Sequence, residues 1–221
     1  MASVRHCWVE KFIINSVYVY MSIQSNMMSK KQTKNDLLNI EAKKVYLFFI
    51  DFETNALGSF RPPTQTPVQV SYTTLDEPIQ THYIRGATQI SQRYNPKKLT
   101  IPFLEKHGIH FTEVIERIRS FIERTNIDKL PVKAIAHNAS FDSGLLNNML
   151  HHTRTTLPKM SWCCTLQESI SFCDLPNNKY PTLTELANKL GVHVDTSALH
   201  SSDYDVKILR ECYENAPHLQ K

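Results

Sequence analysis

Six apolar or aromatic residues in a row, Val45 to Ile50, follow Lys43 and Lys44 and run into Asp51-Phe52-Glu53-Thr54. A run of that length, rich in β-formers, predicts a strand buried on both faces. It ends in two carboxylates. Side chains alternate along an extended chain, so Asp51 and Glu53 share one face and Phe52 takes the other. Two like charges at the mouth of an apolar strand repel unless protons or cations lie between them. Divalent, oxygen-seeking ions such as Mg²⁺ and Mn²⁺ suit that donor set.

Two later stretches have the same grammar: His137-Asn138-Ala139-Ser140-Phe141-Asp142 and His200-Ser201-Ser202-Asp203-Tyr204-Asp205. Each residue alone has a plainer use. Asp142 could be an acid favoured by the dipole at a helix start, Asn138 a turn residue, and Asp203 an N-terminal helix charge. The joint order and spacing of Asp51, Glu53, Asp142, His200 and Asp205 is what those uses leave unexplained. On a continuous helix His200 and Asp205 would diverge by about 140°. Ser202 with Asp205 three residues on has the form of a capping box, which predicts a helix start there. His200 would then lie on the approach and could fold back over the site.

Taken in order, the three stretches resemble the motifs of the DEDD exonuclease superfamily, whose best-known members are DnaQ-like proofreading subunits of DNA polymerases, the epsilon type among them. The likeness covers residues 45–213. A histidine five residues before the last Asp, with Ser201 and not Tyr at the position four before it, is similar to the histidine branch, DEDDh. The resemblance implies a metal-dependent 3′-5′ exonuclease that releases nucleoside 5′-monophosphates from the 3′ end of DNA or RNA. It implies that Asp51, Glu53, Asp142 and Asp205 hold two Mg²⁺ or Mn²⁺ ions and that His200 is the general base. Thr54 would meet the terminal nucleotide, Leu57 would wedge against its base, Phe141 would line the base pocket and Asn138 would brace the site. The usual Thr-Thr-Gly-Leu of the family reads Thr54-Asn55-Ala56-Leu57, a departure at Ala56. Expected partners are single-stranded or frayed 3′ ends, and a DNA polymerase is one the resemblance allows. A silent nucleic-acid or polymerase-binding module is the alternative, although it has no need of four converging carboxylates. An endonuclease or integrase-type enzyme would lack the His200 to Asp205 spacing.

Beyond the motifs, strands are predicted at 68–74 and 81–85, a loop over 86–108, and a helix over 111–124 whose apolar residues recur at helical spacing. A strand over 132–136, a helix over 141–152 and a strand over 160–165 follow. Thr182 to Glu185 has the capping-box form and opens a helix stopped at Gly191, and a last helix spans about 203–214. This order predicts an α/β domain, a central mixed five-stranded sheet flanked by helices, which is the ribonuclease H-like fold the resemblance also implies.

Residues 1–43 read as an N-terminal extension and linker, with 44–221 the exonuclease domain. The apolar run at 12–23 is too short to span a bilayer, which takes about 20 residues, though its length is that of a signal-peptide core. A short helix is expected at 35–40. Residues 1–44 hold seven Lys or Arg against three acids, whereas the remaining 177 residues hold eighteen of each. The basic balance therefore belongs to the leader, and the body would bind a phosphate chain through offset carboxylates and local bases. Five cysteines, an odd number without zinc-site spacing, favour reduced thiols and an intracellular location, cytoplasm or nucleus, with targeting by the N-terminal segment left open; no membrane partner is expected.

Overall fold

The structure is a computed structural model and describes residues 44–55, 66–91 and 99–220. The expected helix at 35–40, the extension at 1–43 and Leu57 lie outside the described residues. Strands β1 (Tyr46–Thr54), β2 (Pro67–Thr73) and β3 (Gln80–Tyr83) form an antiparallel meander. β4 (Val132–Ala136) pairs parallel to the other edge of β1, and β5 (Met160–Cys164) pairs parallel to β4. The result is a mixed five-stranded sheet in the order β3-β2-β1-β4-β5, with β1 at its centre.

The alternation along β1 divides the core. Tyr46, Phe48, Ile50 and Phe52 pack with Val70 and Tyr72 beneath two helices, α2 (Phe111–Thr125) and α3 (Ala139–Thr153). Leu47 and Phe49 turn to the opposite face, where they meet Ile135, Cys163 and the helix α7 (Ser202–Glu214). Phe48 and Phe49 are wholly buried on their respective sides, so a one-residue slip in β1 would exchange two complete cores. Asp51 and Glu53 continue the odd series and emerge on the α7 side.

Several short elements complete the chain: α1 (Ile101–His107), α4 (Thr165–Glu168), α5 (Ile170–Cys173) and α6 (Leu183–Lys189). In α6 the predicted capping box is formed, with Thr182 accepting from the Glu185 N–H and Glu185 accepting in return from the Thr182 N–H. The expectation of a loop over 86–108 is corrected by α1. Thr100 caps it through the Phe103 N–H at 3.2 Å, Pro102 sits in its first turn, and Leu104 is buried against Val68 and Ala87. Gly108 ends it. A Cβ at that glycine would stand 2.4 Å from the Leu104 carbonyl oxygen and 2.8 Å from the Arg85 nitrogen.

Candidate active site

Three elements meet at the carboxyl end of β1. Asp51 and Glu53 come from its last turns of pleat, and Asp205 comes from the first turn of α7. One carboxylate oxygen from each lies within 4.8 Å of the others. Asp142, in the first turn of α3, is buried beneath them, and its Oδ1 accepts the Phe52 N–H at 3.0 Å. That bond ties the start of α3 to the peptide between the two β1 acids.

The electrostatics follow from this crowding. Burial first, then the charges of Asp142, Glu53 and Asp205, hold the Asp51 carboxyl well above the usual carboxylate range. Burial likewise pushes Asp142 up to about 8, against the pull of the Phe52 N–H, with Glu53 adding to the rise. The raised Asp51 and Asp142 carboxyls, crowded with Glu53 and Asp205, suit a divalent cation, whose positive charge would offset the repulsion among them. The donor set is all carboxylate oxygen, which fits Mg²⁺ or Mn²⁺.

His200 lies where the approach to α7 turns. Its φ of +60° is a left-handed conformation uncommon outside glycine, and its backbone N–H donates to Asp205 Oδ2 at 3.1 Å. The side chain is exposed at the rim. Ser202 does not cap α7. The cap position is Ser201, which makes no side-chain cap bond, and Ser202 is the first helical residue, turned inward. The reason is tertiary: Ser202 Oγ bonds Ser71 Oγ at 2.7 Å, and its N–H points to Gln69 Oε1 at 3.4 Å. Asp205 remains in the first turn, with its N–H bonded to the Ser201 carbonyl.

Of the expected substrate contacts, Thr54 is buried at the end of β1, and Asn138 precedes α3 with its Oδ1 accepting from Ser140 Oγ at 3.0 Å. Phe141 is half-buried against the α2/α3 core. Two residues without an expected role help hold this end of the sheet. Asn55, fully buried, accepts the Thr66 N–H at 2.7 Å and donates to the Gln89 carbonyl at 2.9 Å, so it staples both ends of the 56–65 segment to a third strand of chain. The only sequence signal was an Asn beside a strand end. His137 donates from Nε2 to the Pro181 carbonyl and accepts at Nδ1 from Thr165, both at 3.0 Å, which joins β4, α4 and the approach to α6.

No protein-family model and no curated protein matches the chain in sequence. Solved structures match it in shape. The nuclease domain of 3′hExo, described as a DEDDh family member bound to rAMP, superposes with a TM-score of 0.58 at 18% identity, covering 77% of this chain and 92% of that one. The chain shares the fold of that nuclease domain. A 3′-exonuclease in a structure of histone mRNA stem-loop recognition gives 0.58 at 19% identity, over 75% of this chain and 78% of its own. Exonuclease X in complex with 5′ overhanging duplex DNA gives 0.51 at 19%, over 77% and 92%. The shared fold includes the mixed five-stranded sheet flanked by helices.

Proposed function

We propose that the chain is a metal-dependent 3′-5′ exonuclease acting on single-stranded or frayed 3′ ends of DNA or RNA. The supporting observation is the convergence of Asp51, Glu53 and Asp205 within 4.8 Å, with Asp142 buried below, on a fold shared with DEDDh nucleases. Asp51, Glu53, Asp142 and Asp205 would hold two Mg²⁺ or Mn²⁺ ions. Bound there, such ions would supply Lewis acidity to a water and the scissile phosphate and would offset charge on the leaving oxygen.

The chain's own residues do the rest. His200, exposed and with its backbone N–H bonded to Asp205, would take the proton of the attacking water. Thr54, from β1, and Phe141, from α3, would bound the terminal nucleotide, Leu57 would wedge against its base and Asn138 would brace the turn into α3. The place of action would be intracellular, in the cytoplasm or nucleus, as the odd number of cysteines in the sequence favours reduced thiols. The reading needs no polymerase partner.

A time course of 5′-labelled single-stranded DNA and RNA of equal sequence, with Mg²⁺, Mn²⁺ or EDTA and beside Asp51→Ala, tests it. A metal-dependent ladder shortening from the 3′ end, absent in the variant, supports the exonuclease. Intact binding without a ladder turns the reading to a silent nucleic-acid-binding module.

A further inference from the structure

Two adjoining cavities lie at the end of α3. The first, of about 290 Å³, has apolar walls that include Pro67, Phe111 and Met149 and polar groups from Arg85, His110 and His152. The second, of about 550 Å³, shares His152 and adds His151 and Arg154. Among the described residues neither has an acid in its lining, on a body whose charges cancel overall. Glu105 is bound nearby, its carboxylate accepting the Gly86 N–H at 3.2 Å.

Their placement relates them to the carboxylates. Pro67 is the register partner of Thr54, the residue after Glu53, and antiparallel partners stand about 4.5 to 5.5 Å apart. The first cavity therefore begins one strand over from the end of β1, on the α2/α3 side of the sheet, the face opposite to the one on which Asp51 and Glu53 emerge. On α3, Phe141 and His152 are eleven residues apart, which is three turns and about 16 Å along the axis, pointing within about 20° of the same direction. The cavities thus lead away from the end of α3 that contributes Asp142 and Phe141.

The chemistry fits one class of occupant. The His110 and Phe111 rings lie 4.2 Å apart and line the first cavity together, a π surface of the kind on which an unstacked base rests. Its volume is at the low end of ligand pockets, which run from roughly 300 Å³ upward, so it admits a single base and not a duplex. Arg85 and Arg154 offer permanent positive charge to phosphates on either side of that base.

We propose that these two cavities form the track for the single strand upstream of the 3′ end. The first holds one nucleobase against His110 and Phe111, and Arg85, His152 and Arg154 hold the flanking phosphates. This track rests on the exonuclease reading for its direction, and its test separates the two. Binding of fluorescein-labelled DNA and RNA octamers is measured by anisotropy in EDTA, and hydrolysis of the octamers is compared with that of a dinucleotide. The double variant Arg85→Ser/Arg154→Ser should bind octamers at least tenfold more weakly, with a salt slope smaller by about 1 to 2. Its preference for octamer over dinucleotide, as a ratio of kcat/KM, should fall by a similar factor. An unchanged octamer affinity, or equal losses on octamer and dinucleotide, overturns the track. If the wild type hydrolyses neither substrate, the exonuclease reading fails, and the anisotropy result alone still decides whether a strand lies in these cavities.

Discussion

Ser71 Oγ lies 2.7 Å from Ser202 Oγ, both side chains fully buried, in a bond that spans 131 residues of chain. Ser71 is the register partner of Asp51, and Ser202 stands three residues before Asp205, so the pair fixes the start of α7 against the strand beside the β1 acids. Thr81 Oγ1, 2.9 Å from Ser71 Oγ, and Gln69 extend the network. Ser71→Ala should cost about 1 to 3 kcal/mol, the usual penalty for leaving a buried hydroxyl without its partner. It should also weaken Mn²⁺ binding, because Asp205 loses its registration with Asp51. The double variant Ser71→Ala/Ser202→Ala should be less destabilised than the sum of the singles. Thermal unfolding and calorimetric Mn²⁺ titration check both, and additive losses would mean that the two hydroxyls act independently.

Asp142 makes the metal-free fold pH-sensitive. Its folded pKa of about 8 stands above the ordinary 3.8, so the buried carboxyl favours folding as the neutral acid. That contribution is whole below about pH 4 and is lost as the pH rises through about 8. In EDTA, wild-type Tm should fall across this window, and Asp142→Asn should raise Tm at pH 8 while changing it little at pH 4. Adding Mn²⁺ should raise wild-type Tm more at pH 8 than at pH 5, and this gain should largely vanish in the variant. A flat EDTA profile for wild type would contradict the burial argument.

The division of β1 into two faces was legible because an extended chain has a period of two, and Asp51 and Glu53 inherit it directly. The helix α2 was legible through its apolar period and α6 through Thr182 and Glu185, all local signals. The helix α1 was not, since seven residues with one buried side chain, Leu104, leave almost no periodic trace. The capping of α7 was misread for a different reason. Ser202 looks like a cap locally, but Gln69 and Ser71 draw it inward from β2, a contact that no local spacing encodes. Asn55 was passed over for the same cause, as its partners Thr66 and Gln89 lie 11 and 34 residues away.

The carboxylates and His200 should separate in kinetics. Asp51→Ala or Asp205→Asn removes a member of the acidic cluster and should abolish hydrolysis with a fold intact by circular dichroism. His200→Ala leaves the cluster in place and should slow hydrolysis by roughly 10² to 10⁴, the range of general acid-base catalysis. Single-turnover rates with saturating Mn²⁺ distinguish the two cases, and a wild-type rate for His200→Ala would remove the base assignment.

His137 should set the acid limit of stability. Burial holds its pKa down to about 4 against an ordinary 6.5, despite the upward pull of the hydrogen bond to the Pro181 carbonyl, and the neutral ring bridges that carbonyl and Thr165. A depressed histidine contributes stability that is full above pH 6.5 and is lost as the pH falls toward about 4. His137→Leu breaks both hydrogen bonds and should cost about 1 to 3 kcal/mol at pH 7.5. The same change removes the proton that the unfolded chain would take up in acid, so the loss of stability between pH 6.5 and 4 should be shallower in the variant. Denaturant unfolding at pH 7.5, 6 and 4.5 measures both effects. Parallel profiles for the two proteins would show that the ring is not held neutral by the fold.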